Sequence, residues 1–277
     1  MTILLDGDAL AAMHRRAIRA EAEAAGVVPR LVTILVGDDP ASRAYVARKH
    51  GDCAELGFDV ELVALPADVA AADLLALVAR FNADPACHGL LVQFPLPPHL
   101  DQAVVQAAID PDKDVDGLHP LSLGAMIAGM PALRPCTPQA VLALLRAHDV
   151  PLAGRRVAVI GRGLLVGRPL AVMLADRGID AVPTLLHRAA PDLAAICGQA
   201  DVIVSAAGVP GLVTAAMVKP GAAVVGVGIT YVGGEMVSDI AADVAGVAGW
   251  VTPRHGSVGA MTRAMLMRNL LAAARGA

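Results

Sequence analysis

Short apolar runs and helix-length amphipathic segments take turns along most of the chain. Runs at 31–36, 58–65 and 89–94 have the length and β-branched content of strands, whereas 40–56, 71–81 and a stretch from near Asp101 read as helices. Strands separated by helices imply parallel pairing, because a parallel neighbour needs a crossover of about a dozen residues or more. The rhythm fails between 110 and 138, where Pro111, Pro120, Pro131, Pro135 and Pro138 surround one short apolar helix near 121–128. Prolines at this density punctuate structure, so a domain boundary is expected there. Alternation resumes with strands at 156–160, 181–186, 201–205 and 222–227, helices near 167–177 and 192–198, and a last helix over about 258–274. The pattern predicts an α/β protein of two three-layer domains, 1–137 and 138–257, with the last helix, about 258–277, packing back on the first.

Composition supports two aliphatic cores. Of 277 residues 56% are hydrophobic but only 2% aromatic, so Ala, Val and Leu carry the burial. A formal charge of −4 offers no bulk attraction for nucleic acid or anionic lipid, and neither is expected as a partner. Cys53, Cys87, Cys136 and Cys197 form no Cys-x-x-Cys pair, which predicts buried, reduced thiols and no metal site. The start meets Asp6 and Asp8 at once without a basic segment, and no apolar run reaches the roughly 18 residues of a membrane span. A cytoplasmic protein is expected. Lysine is scarce: Lys49, Lys113 and Lys219 are the whole set, which makes any lysine in a candidate site conspicuous.

The second domain opens with a strand running into Gly161-Arg162-Gly163 and then, through Gly167, into a helix. Gly161 would permit a tight turn, Gly163 a close approach of backbone to a pyrophosphate, and the helix N-terminus would supply amide donors. The spacing is one residue longer than the common dinucleotide fingerprint, and the same turn could simply close a βα unit. The next strand ends in Leu186-His187-Arg188, with no carboxylate to hold a ribose 2′-hydroxyl. Arg188 and Arg162 suit a 2′-phosphate, so NADP is favoured over NAD, the alternative being two solvated arginines.

In the first domain Tyr45 and Lys49 stand four apart in a helix, on one face. Gln93 is a polar amide at the carboxyl end of an otherwise apolar strand, where parallel sheets bind ligands. Asp114 and Asp116 lie in the proline-rich boundary. Taken together, GDDPASxxYVxxK, LLVQxPLP, PDKDVDGLHP, RPCTP and GRxxxVGRP occur in this order, and the chain resembles the bifunctional methylenetetrahydrofolate dehydrogenase/methenyltetrahydrofolate cyclohydrolase family from about Gly7 to Asn269.

The resemblance implies a catalytic α/β domain, a Rossmann-like NADP-binding domain and a folate in the cleft between them. It implies that Lys49 is the key catalytic group, that Gln93 holds and tunes it, that Tyr45 packs along the folate rings and that Asp116 binds the pterin edge. Asp114 reads as structural, and so does His119 at the domain hinge. The implied reaction is oxidation of 5,10-methylenetetrahydrofolate to the methenyl form, then hydrolysis to 10-formyltetrahydrofolate. Hydride transfer needs alignment rather than a strong base, whereas water addition and ring opening need proton transfers, for which a buried lysine beside a cationic substrate is suited. For the cofactor the resemblance points to Gly161, Arg162, Gly163, Arg188 and backbone groups at Ile229, with 206–210 lying alongside. A homodimer is expected.

Three departures stand out. Gly163 replaces the usual Ser or Thr, Gly226 replaces an aspartate and so removes a carboxylate near the nicotinamide pocket, and in the substrate loop Arg254-His255-Gly256-Ser257 the serine replaces a glycine while Arg254 and His255 add cationic or titratable groups. Gly256 and Ser257 are expected to bind substrate, with any positive φ at Ser257 disfavoured. The alternatives they raise are a dehydrogenase-only relative and a folate-binding paralogue without catalysis.

Overall fold

The computed structural model describes residues 2–233, 235–253 and 257–276. Along the chain come β1 (Ile3–Leu4), α1 (Gly7–Ala25), β2 (Arg30–Val36), α2 (Pro40–Leu56), β3 (Asp59–Leu65), α3 (Ala71–Ala83), β4 (Gly89–Val92), α4 (Gln102–Ala108), α5 (Pro120–Ile127) and α6 (Cys136–Ala147). Then follow β5 (Arg156–Ile160), α7 (Gly167–Leu174), β6 (Val182–Leu186), α8 (Leu193–Cys197), β7 (Val202–Ser205), β8 (Ala223–Gly226), β9 (Ile229–Val232), β10 (Glu235–Ser238), β11 (Trp250–Val251) and α9 (Val258–Ala274).

Two compact units result: Met1–Ala11 with Thr137–Thr262, and Ala12–Cys136 with Arg263–Ala277. The expected boundary placed residues 1–137 together. Instead the first residues join the other unit, because β1 pairs in parallel with β11.

One unit is built on a parallel three-stranded sheet in the order β3–β2–β4. Successive side chains of a strand point to opposite faces. Val32, Ile34 and Val36 therefore pack with Leu90 and Val92 against Leu74, Val78 and Phe81 of α3 and Val105 of α4. The intervening Thr33 meets His50 of α2 on the other face, at 3.0 Å. Helices on both faces explain why β2 and β4 read as nearly continuous apolar runs.

The other unit carries a six-stranded sheet in the order β1–β11–β8–β7–β5–β6, parallel throughout. One of its faces buries Ala158, Ile160, Ile203, Val224 and Val251 with Cys197 of α8. A separate antiparallel hairpin joins β9 to β10.

The sequence pattern does not disclose α1, α6, the hairpin or the two-residue strands. The buried face of α1 is made largely of alanine, Ala11 and Ala22 flanking Ile18, which dilutes the apolar period. Pro138, taken as punctuation, sits in the first turn of α6, where a missing N–H costs nothing.

Candidate active site

The start and end of α2 are fixed locally. Asp39 accepts the Ser42 amide at 2.8 Å, Pro40 occupies the first turn and Gly57 closes the helix at φ 75. Between them Tyr45, Lys49 and Asp52 recur at helical spacing and share a face. Lys49 is only 4% exposed. A buried amine needs polar partners, and Lys49 finds two. Its Nζ donates to Gln93 Oε1 at 3.2 Å and lies 4.7 Å from the centroid of the Tyr45 ring.

The Gln93 amide is oriented by its own surroundings. Its backbone N–H donates to the Ile34 carbonyl at 2.9 Å, just past the end of β4, and Nε2 donates to the Phe94 carbonyl at 2.7 Å. With the nitrogen so engaged, the oxygen is left to face the lysine. Burial pushes the Tyr45 phenol well above its ordinary range, and the Asp116 carboxylate adds to the effect. The hydroxyl therefore stays protonated. The structure thus brings Tyr45, Lys49, Gln93 and Asp116 into one neighbourhood, with Cys136 beside them.

Asp114 behaves differently from Asp116. It is 1% exposed and accepts the His119 amide at 2.6 Å and Gln106 Nε2 at 3.1 Å, while Asp116 is half-buried. Burial raises the Asp114 carboxyl to about 6, against the His119 amide, which favours the anion. His119 caps α5: its Nδ1 accepts the Leu121 amide at 3.1 Å and its Nε2 meets the Ala107 carbonyl at 3.2 Å. Both residues brace the loop that presents Asp116. Gly117, at φ 71, turns so close to the Arg134 and Pro135 backbone that a Cβ would overlap it.

The other lysines have structural partners. Lys113 donates to the carbonyls of Phe81, Asn82 and Asp84 at the end of α3, and Lys219 pairs with Asp201. The four cysteines are buried and free, and burial pushes Cys53 to about 12 and Cys87 and Cys197 to about 11.

In the other unit Gly161 has φ 110, and a Cβ there would overlap the Ala206 carbonyl. A Cβ on Gly167 would overlap the Gly161 carbonyl, so only glycine lets α7 start this close to β5. No side chain caps the start of α7. Gly163 is different: a Cβ would meet open space, so packing does not require this glycine. Arg162 and Arg188 are exposed. A glycine-only turn at the carboxyl ends of parallel strands, an uncapped helix start and two free-standing guanidinium groups fit a dinucleotide carrying an extra phosphate.

Sequence reasoning missed two groups. Asp239 is fully buried, and its Oδ2 accepts Ser205 Oγ at 2.8 Å and the amides of Ala207 and Gly208 at 2.9 and 3.2 Å. It anchors the loop 206–210, and Gly228 is required because a side chain would strike this carboxylate. The expected loss of a carboxylate at Gly226 thus leaves another nearby on β10's exit. Gly226 itself has no room to grow, since Ser238 and Ile240 crowd its Cβ position. The second missed group is the ion pair of Asp52 with Arg263, Oδ2 to Nε 2.5 Å. The helical spacing of Asp52 from Tyr45 was its one legible signal.

Ser257 carries the strain expected of a side chain at positive φ. It adopts φ 70 despite its side chain, is fully buried, and donates from Oγ to the Leu5 carbonyl at 2.7 Å. The hydrogen bond offsets the backbone strain and commits the hydroxyl to the interior of its unit. Arg254, His255 and Gly256 lie outside the described residues. Ile229 begins β9, paired with Ser238.

Fold and site together define a two-unit α/β enzyme, with a nucleotide-binding sheet in one unit and a buried lysine cluster in the other. Family models match both: the tetrahydrofolate dehydrogenase/cyclohydrolase catalytic domain over residues 5–116, and the NAD(P)-binding domain of the same enzymes over 135–277. The chain belongs to the tetrahydrofolate dehydrogenase/cyclohydrolase family. It is 37% identical to the bifunctional FolD methylenetetrahydrofolate dehydrogenase/cyclohydrolase of Campylobacter jejuni, covering 100% of this chain and 99% of that one at a TM-score of 0.96. A methylenetetrahydrofolate dehydrogenase of the silkworm, Bombyx mori, is 36% identical over 100% and 99% of the chains at 0.95. The Trypanosoma brucei dehydrogenase-cyclohydrolase, solved with NADP cofactor and inhibitor, is 38% identical over 99% and 98% at 0.92.

Proposed function

We propose that this enzyme oxidises 5,10-methylenetetrahydrofolate with NADP⁺ and hydrolyses the methenyl product to 10-formyltetrahydrofolate, with Lys49 as the proton-transfer group. The observation that carries the assignment is the buried Lys49 amine, held by an amide whose orientation is fixed from behind. Bound NADP⁺ supplies the hydride acceptor. Gly161 and Gly167 keep the turn tight enough for a pyrophosphate, Arg188 and Arg162 would hold the 2′-phosphate, and the backbone at Ile229 and the loop anchored by Asp239 would hold the nicotinamide.

On the folate side Tyr45 offers a ring face and a protonated hydroxyl, and Asp116 accepts hydrogen bonds from the pterin's aminopyrimidine edge. Lys49, as the uncharged amine that the adjacent cationic substrate favours, takes a proton from the water that adds to the methenyl carbon. It returns a proton to the ring nitrogen as the carbon–nitrogen bond breaks. Gln93 holds Nζ in place, and a single amine serving both steps needs only small displacements. A cytoplasmic homodimer is part of the same reading.

Two spectrophotometric assays test it: NADP⁺ reduction with methylenetetrahydrofolate, and loss of methenyl absorbance without cofactor. Activity in both is expected. Activity in the first alone would leave a dehydrogenase-only enzyme, and silence in both with folate still bound would leave a binding protein.

A further inference from the structure

The residue three positions beyond Lys49 on α2 is Asp52, so the two share a helix face with Cβ atoms about 5–6 Å apart. Its carboxylate is paired with Arg263, in the second turn of α9, and the two side chains are 12% and 18% exposed. Both residues belong to the same compact unit. An ion pair this enclosed is a poor device for stability alone, because apolar residues of similar volume hold helices together as well. Its charges do reach the site: the Tyr45 hydroxyl feels both Asp52 and Arg263, and the Cys53 thiol feels both Asp52 and Lys49.

The titratable and charged groups of the lysine's neighbourhood come from four elements. Tyr45, His50, Asp52 and Cys53 stand on α2, Asp114 and Asp116 on the loop before α5, Cys136 at the start of α6 and Arg263 on α9. We propose that Asp52 and Arg263 are a positioning pair for Lys49: Arg263 neutralises Asp52 and ties the catalytic turn of α2 to α9, so that the field of Asp52 is cancelled at the amine. The proposal rests on the assignment of Lys49 as the proton-transfer group and names the residues that regulate it.

The charges predict opposite effects. Asp52→Asn removes a negative charge from the helix face of Lys49 and favours the uncharged amine, whereas Arg263→Met removes a positive charge from beside Asp52 and favours the ammonium. The full-length protein, labelled with ¹³C at the lysine ε-carbon, gives signals from only three residues, and Lys49→Met assigns the relevant one. The expected result is a Lys49 titration midpoint lower in D52N and higher in R263M, by about 0.5–1 pH unit each. The D52N/R263M double variant should return to the wild-type midpoint, with Lys113 and Lys219 unmoved throughout.

Shifts in one direction for both single variants, no shift in either, or a double variant as displaced as a single one would overturn the proposal. Should a single variant fail to fold, the double variant still decides: a midpoint away from wild type refutes the cancellation. The pH–rate profile of methenyl hydrolysis is read in parallel. If the resonance moves as expected and the rate profile does not follow, the assignment of Lys49 fails while the pairing stands.

Discussion

Asp114 is the buried group whose ionisation can be converted most directly into stability. Its carboxyl is raised from 3.8 to about 6, chiefly by burial. For an acid, a raised value in the folded state means that folding favours the protonated form. The associated stability is fully present below the unfolded value and is lost as the pH rises through about 6. A difference of about 2 pH units at 1.36 kcal/mol each corresponds to roughly 3 kcal/mol between pH 4 and pH 7. Asp114→Asn keeps an oxygen for the His119 amide at 2.6 Å, while the Gln106 amide can turn to accept from the new nitrogen. The variant should therefore lose the pH dependence but not the loop. The assay is urea denaturation followed by far-ultraviolet circular dichroism at steps from pH 4 to pH 7.5, with wild type and variant side by side. Other titrating groups cancel in the difference, so the variant should gain about 3 kcal/mol relative to wild type across that window. A difference that does not change with pH would show that Asp114 ionises normally, and the argument from burial would be wrong.

Other consequences concern the cofactor turn and the strained serine. Gly161→Ala places a Cβ against the Ala206 carbonyl at a φ of 110 and should cost at least about 1–3 kcal/mol in thermal unfolding, with weakened NADP⁺ binding in calorimetry. Arg188→Ala should lower NADP⁺ affinity about tenfold with little change for NAD⁺, measured by fluorescence titration; an unchanged preference sinks the 2′-phosphate assignment. Ser257→Gly relieves about 1 kcal/mol of left-handed strain but deprives the buried Leu5 carbonyl of its donor, at about 1–3 kcal/mol. A net loss in melting temperature is expected, and a gain would show that the hydrogen bond carries little.

The sequence disclosed elements where bulky β-branched residues set the period, and concealed those built from small ones. The strands β2, β4, β5 and β7 are legible because burial on both faces makes them nearly continuous apolar runs. The buried stripe of α1 is Ala11, Ile18 and Ala22, too faint to separate from the alanine-rich background. At the site, Tyr45, Lys49 and Gln93 stood out because each is a rare or polar residue in an apolar setting. Asp52, Arg263 and Asp239 did not, because their meaning lies in partners distant in sequence: Asp52 finds Arg263 and Asp239 finds Ser205. The role of Gly163 read from its motif is likewise not imposed by packing, since space around it is open, whereas Gly167 is held by the Gly161 carbonyl.

Everything proposed about the chemistry turns on one amine. Lys49→Met replaces it with an uncharged chain of similar length, leaving Gln93 and Tyr45 in place, and both activities are then measured on the same preparation. Hydrolysis of methenyltetrahydrofolate should fall to background while NADP⁺-dependent oxidation of methylenetetrahydrofolate persists in part. A variant that hydrolyses the methenyl compound at the wild-type rate would contradict the assignment of Lys49.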